Sequence, residues 1–221
     1  MIGVGRSYDR VAGRYAAELS GELDAKPLDR ALLGAFAELT GGGVVADVGC
    51  GPGHVAAALQ RAGARVVATD LSPGMCAQAR PRVPVCASDM TALPYRSAAL
   101  SGIACLYAVI HLDAPGRARA YREFSRVLRP GGHALISFHT GDSETAPGGS
   151  RTLSEWWGEK VALTFHFLDP EGEIAALADA GLELAARLDR APHPGAEHPS
   201  RRCYLLVRAS AGSTATPSSS A

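Results

Sequence analysis

Apolar residues in this chain fall into two rhythms that alternate along most of its length. Over residues 6–21, Tyr8, Val11, Ala12, Tyr15, Ala16 and Leu19 recur three or four apart, with Asp9, Arg10, Arg14 and Glu18 between them, which predicts an amphipathic helix. A second helix is expected at about residues 27–39, stopped by the glycines at 41–43. The rhythm then changes. Val44, Val45, Ala46 and Val48 form a short continuous apolar run, the pattern of a parallel strand covered on both faces. Gly49, Gly51 and Gly53 break it, and Val55, Ala58 and Leu59 resume helical spacing, so a glycine turn opens a helix whose first amides face whatever lies beyond the strand end.

The same alternation continues. Residues 65–69 read as a second buried strand closed by Asp70, and Ser72 and Pro73 supply an N-cap and a first helical position. A third strand is expected at 83–87, followed by a loop, 88–94, that carries Asp89. A fourth is expected at 100–106, with residues 107–112 as its continuation. Residues 113–115 start a helix with Tyr121, Phe124 and Leu128 inward and Arg117, Arg119, Arg122 and Arg126 on a solvated face. Residues 134–138 read as a fifth strand ending in His139. Strands alternating with helices predict an α/β fold. Residues 140–150 are polar and glycine-rich, and Trp156 and Trp157 follow, expected on opposite sides of their segment. Val161, Leu163, Phe165 and Phe167 alternate with less apolar positions, which predicts one strand. Asp169 and Pro170 cap a helix to Ala180, ended by Gly181, and residues 182–188 and 203–207 are expected to pair antiparallel at the sheet edge.

At 221 residues and 47% hydrophobic, the chain has the length and composition of one globular domain. We expect that domain at 1–208, with helices at 1–40, an insert at 140–168 and a disordered tail at 209–221. Lys plus Arg and Asp plus Glu number 22 each, a balance that attracts no polyanion, so no nucleic-acid partner is expected. The five cysteines are odd in number and form no CxxC, which fits reduced thiols. The start, MIGVGRSYDR, lacks the apolar core of a signal peptide, and no apolar run approaches the roughly 20 residues that span a bilayer. The expectation is a cytoplasmic protein without a membrane partner, as monomer or homodimer.

Residues 47–53, DVGCGPG, resemble the glycine-rich motif of class I S-adenosylmethionine-dependent methyltransferases. Asp70 matches that family's acid on the ribose hydroxyls. Ser88, Asp89 and Met90 match the loop where an acid reaches the adenine amino group, CLYAVIHL (105–112) the segment leaving the fourth strand, and LRPGG (128–132) the turn before the fifth. The resemblance implies a Rossmann-like, mostly parallel seven-stranded sheet of order 3-2-1-4-5-7-6 with helices on both faces and an N-terminal helical lid. It implies S-adenosylmethionine as cofactor and S-adenosylhomocysteine as product. The cofactor residues it implies are Tyr8, Tyr15, Asp47, Gly49, Gly51, Gly53, Asp70, Leu71, Met75, Asp89, Met90 and Leu106. The first helix resembles the YDxxAxxY lid of small-molecule enzymes, and Tyr107, Trp156 and Trp157 are the acceptor-site candidates.

Chemistry narrows the reading. A carboxylate only accepts, so Asp89 would select the adenine amino group over a carbonyl in its place. His111 and His139, at the carboxyl ends of the fourth and fifth strands, are candidates for removing an acceptor's proton. Where a family methylating base amino groups has NPPY, this chain has LYAV at 106–109, and no Pro-Cys nucleophile, acidic hairpin or catechol-type metal set is evident. A small-molecule acceptor is therefore expected, with no metal, its methylated atom open among O, N, S and C. Three alternatives stand beside this: a methyltransferase-like protein that binds the cofactor without methylating, a nicotinamide oxidoreductase, and a pure interaction protein, which would have no need of the Asp70 and Asp89 pair. His54 stands where the dinucleotide fingerprint has its third glycine, which argues against the second.

Overall fold

The structure is a computed structural model that describes residues 3–210. Two helices, α1 (Val4–Leu19) and α2 (Pro27–Leu39), precede the alternating core β1 (Val44–Val48), α3 (His54–Arg61), β2 (Arg65–Asp70), α4 (Pro73–Ala79), β3 (Val85–Ala87), β4 (Leu100–Leu106), α5 (Ala114–Val127) and β5 (Leu128–Asp142). A hairpin of β6 (Ser150–Trp156) and β7 (Glu159–His166) follows, then α6 (Pro170–Asp179), β8 (Leu182–Arg190) and β9 (Ser200–Ala209). Seven strands form one sheet in the order β3-β2-β1-β4-β5-β9-β8, with β6 and β7 apart as a two-stranded sheet. Leaving that hairpin out of the count, this is the expected order 3-2-1-4-5-7-6. All pairs are parallel except β5 with β9 and β9 with β8.

Strand periodicity divides the core between the two faces. Ala134, Ile136 and Phe138 of β5 and Cys203, Leu205 and Val207 of β9 point to the side covered by Ala120, Tyr121, Phe124 and Val127 of α5 and Leu177 of α6. Leu135 and Tyr204, one position out of phase, point to the side covered by Leu33 and Phe36 of α2 and Val55, Ala56 and Leu59 of α3. Both faces of the central strands are thus dry, the reason their sequences read as unbroken apolar runs.

Several expectations are corrected. Residues 107–112 do not continue β4: Tyr107 takes a left-handed backbone (φ 55°), and a short 3-10 turn, Val109–His111, follows. The strand expected from Val161 onward is present as β7, but it is the second arm of a hairpin whose first arm, β6, was not expected. Trp156 and Trp157 do not diverge, because Trp157 and Gly158 are the two central residues of the turn, both with positive φ (54° and 83°). Their rings stack with centroids 4.6 Å apart. On α5 the arginines are not all solvated. Arg117 bonds Glu173 through Nε at 2.9 and 3.0 Å, and Arg126 bonds Glu123 and the carbonyls of Leu93 and Tyr95. Ala209 closes β9, and residues 211–221 of the expected tail lie outside the described residues. Among the described residues no helix is long and apolar enough to cross a membrane.

Candidate functional site

The site lies at the carboxyl ends of β1, β2 and β4, where the chain reverses its direction of winding across the sheet. Gly49 and Cys50 both donate to the Thr69 carbonyl, at 2.8 and 3.0 Å, which locks the turn to the end of β2. Gly49 has φ +72°, and a Cβ there would stand 2.3 Å from the Ala108 Cβ, so only glycine allows the exits of β1 and β4 to approach this closely. Asp70 then ties two loops together, its Oδ2 accepting from Gly51 N and its Oδ1 from Ser72 N, each at 2.8 Å. Burial raises the Asp70 pKa, and the Ser72 and Gly51 amides hold it back. Each oxygen keeps a further lone pair for a donor in the cavity.

Beneath the turn lies a cluster of charges. Asp47 is buried, its Oδ2 has no hydrogen-bond partner among the described residues, and burial pushes its pKa to about 7, against the opposing effect of His54. His54 opens α3; its Nε2 is 2.9 Å from Glu22 Oε1, while Nδ1 is buried and unpartnered among the described residues. Glu22 in turn accepts from Lys26 at 2.6 Å. Burial would raise the Glu22 pKa, but the His54 hydrogen bond and the Lys26 charge reverse this and bring it to about 2. Lys26, itself buried, also lies 3.2 Å from Glu197. An ammonium has three donors, so one remains for the cavity that Lys26 borders.

The far wall is Tyr107. Asp29 Oδ1 accepts from the Tyr204 hydroxyl at 2.5 Å, so Tyr107 donates to the Tyr204 oxygen, also at 2.5 Å. Arg190 Nη2 donates to Asp29 Oδ2 and to the Tyr204 oxygen, both at 2.8 Å. The Tyr107 ring stacks on His139 with centroids 4.9 Å apart. Opposite, Tyr8 of α1 meets His111 at 2.8 Å, Oη to Nε2, and His111 Nδ1 lies 2.9 Å from the Thr164 carbonyl of β7. Burial lowers the His111 pKa to about 4, with a smaller contribution from His166, against the Thr164 hydrogen bond.

One cavity gathers most of the residues singled out in the sequence: Tyr8, Tyr15, Asp47, Gly49, Gly51, Asp70, Leu71, Met75, Asp89, Met90, Leu106, Tyr107 and His111 all border it. Four do not. Gly53 has φ +82° and packs on Ala79, serving the start of α3. His139 is behind Tyr107, its Nδ1 2.8 Å from Ser200 Oγ, and burial lowers its pKa to about 3. Trp156 and Trp157 pack edge to face beyond the rings of Tyr8 and Tyr15 (centroid distances 5.7 to 6.4 Å). The sequence reading missed Glu22, Lys26 and Asp29. Their signal was present only as charges beside the apolar face of α2, which by themselves mark a solvated side.

Residues 45–132 match the family model described as "Methyltransferase domain". The chain is 36% identical over 110 residues to "Methyltransferase GfsG" of Streptomyces halstedii, a stretch covering 45% of this chain and 39% of that protein. The chain spans 39% of that relative's length and 24% of another's. A solved S-adenosylmethionine-dependent methyltransferase of Methanosarcina mazei superposes with a TM-score of 0.66 at 14% identity, over 76% of this chain and 92% of that one. The [4+2]-cyclase SpnF superposes with a TM-score of 0.69 at 20% identity, over 95% and 96%.

Proposed function

From the premise that residues 45–132 form a domain of the methyltransferase family, on a class I fold, we propose that the chain transfers a methyl group from S-adenosylmethionine to a small-molecule acceptor. The observation that carries this is the placing of three carboxylates, Asp47, Asp70 and Asp89, at the carboxyl ends of three adjacent strands and along one cavity. They fit the cofactor's three donor groups. The unpartnered Asp47 Oδ2 accepts from an ammonium, Asp70 from a pair of ribose hydroxyls, and Asp89 from an amino group. A donor serves the remaining charge: the third Lys26 N–H suits a carboxylate.

When bound, the cofactor supplies an electrophilic methyl group. The chain's residues orient the acceptor, exclude water and receive a proton. Orientation alone is worth on the order of 7 kcal/mol or more when the reacting atoms are held in line. Helix α1 is the lid of this reading. Asp9 accepts from Ser72 Oγ (2.6 Å) and Gly74 N (2.8 Å), fastening α1 to the start of α4, and Ser7 Oγ accepts from Ala162 N (2.9 Å), fastening it to β7. Val4, Gly5, Tyr8 and Tyr15 put α1 over the cavity, and a cavity so covered favours a small acceptor over a polymer. The nicotinamide alternative finds no support, because His54 turns its ring to Glu22 and stands half-buried at the helix start a pyrophosphate would need.

Calorimetry with S-adenosylhomocysteine, followed by an acceptor screen with methyl-labelled cofactor, tests the reading. Binding and label transfer are expected. Binding without transfer to any acceptor would favour a non-methylating role, and no binding would overturn both.

A further inference from the structure

The contact between Tyr8 and His111 points beyond that reading, though it rests on it. A backbone carbonyl can only accept, so the 2.9 Å contact from the Thr164 oxygen places the ring proton of neutral His111 on Nδ1. Nε2 then presents its lone pair, and the Tyr8 hydroxyl donates to it at 2.8 Å. The nitrogen that the sequence marks as a direct base is therefore covered by a phenol whose side chain borders the cavity. Three segments build this pair: α1 brings Tyr8, the turn after β4 brings His111, and β7 brings Thr164.

We propose that Tyr8 meets the acceptor's proton and His111 is the base behind it. As the acceptor atom X bonds to the methyl carbon, the X–H proton passes to Tyr8 Oη and the Tyr8 proton passes to His111 Nε2. The methyl carbon's bond to sulfur breaks with its electron pair on sulfur. An imidazolium results, its Nδ1–H still donated to Thr164, and its proton leaves to water when α1 lifts. Burial holds the Tyr8 pKa well above its ordinary value, with Tyr15 and Asp70 adding to the effect, so a tyrosinate does not accumulate and the two proton movements are coupled. Positive charge lost from sulfur reappears on the imidazole, so the buried site keeps its net charge through the step. The titratable groups around the pair are Tyr15 and Asp70 beside Tyr8, and His166 beside His111.

Tyr8→Phe keeps the ring and its edge contacts and removes only the relay oxygen. In the full chain with S-adenosylhomocysteine bound, nitrogen NMR of labelled histidine should find His111 neutral and protonated on Nδ1. The Nε2 resonance should shift in Tyr8→Phe. Turnover is then read as S-adenosylhomocysteine release with two probe sets, small phenols and alcohols against benzoate and thiophenolate. Tyr8→Phe should lower kcat on the hydroxyl probes by about 10²-fold or more beyond whatever it loses on the ionised probes. An Nε2-protonated His111, or equal losses on both sets, would overturn the relay alone. A wild type that binds S-adenosylhomocysteine but methylates neither set nor any acceptor of the labelled-cofactor screen overturns the methyl-transfer reading, and the relay with it.

Discussion

Asp70 holds the glycine turn as well as facing the cavity, so its two roles have to be separated. Asp70→Ala removes the acceptor for Gly51 N and Ser72 N together with any ligand hydroxyl. A loss of about 1.5–3 kcal/mol per charged hydrogen bond is expected in S-adenosylhomocysteine affinity by calorimetry, and unchanged affinity in a folded variant would refute the contact. Asp89 is different. Its Oδ1 is engaged by Thr91 N and Oγ1, both at 2.8 Å, and no intramolecular partner holds Oδ2 among the described residues. Asp89→Ala should therefore leave the fold intact and narrow the preference for S-adenosylhomocysteine over its inosine analogue, measured by competition; a wild type indifferent to the two would exclude the contact. These carboxylates were legible because each follows a recognisable strand. Lys26 and Asp29 were not, because a charge reads as buried only once its partner is known, and Glu197 and Arg190 lie more than 150 residues away; Glu22 depends on His54, beyond the first strand.

At the scale of elements, α1 is held by three consecutive residues that reach three different neighbours: Ser7 to β7, Tyr8 to His111, Asp9 to α4. Gly74 makes the last of these possible, since a Cβ there would come within 3.0 Å of Asp9 Cα. Asp9→Ala removes one fastening and leaves the core untouched. Release of S-adenosylhomocysteine in stopped flow should quicken by roughly tenfold, the equivalent of about 1.4 kcal/mol. An unchanged rate would mean that α1 does not move for release. The parallel core was readable because apolar runs and glycine punctuation sufficed. The β6–β7 hairpin was not, because its turn needs positive φ at both central residues and Trp157 occupies the first, where asparagine or glycine would have been the signal.

Across the whole molecule, the pairs His54–Glu22, Lys26–Glu197 and Arg190–Asp29 join the glycine turn to the loop between β8 and β9. Asp29→Ala leaves Arg190 paired with Glu197 alone and takes the acceptor from the buried Tyr204 hydroxyl, so it should destabilise the chain by roughly 1–3 kcal/mol in urea unfolding; a change near zero would show the Asp29 contacts to be dispensable. Acid acts elsewhere. His111 and His139 have folded pKa values of about 4 and 3 against 6.5, so the unfolded chain binds their protons first. Stability from these two is complete above about pH 6.5 and falls as pH drops towards 4. Asp47, raised to about 7, works in the opposite direction over nearly the same interval, but two histidines outweigh one carboxylate. The urea midpoint should fall between pH 7 and pH 5, and His139→Gln should flatten that fall; an unaltered slope would mean that His139 is not buried neutral.

The stacked indoles have one more consequence, a spectroscopic one. The chain contains two tryptophans, and both stand in one pair, 4.6 Å apart, against the Tyr15 ring of α1. All of its tryptophan emission therefore comes from the seam between the first helix and the hairpin, and two parallel indoles at that separation couple excitonically in circular dichroism. The wild-type chain carries its own optical reporter of that seam, and the rate of the emission change on mixing with S-adenosylhomocysteine times the movement of α1 without any added label.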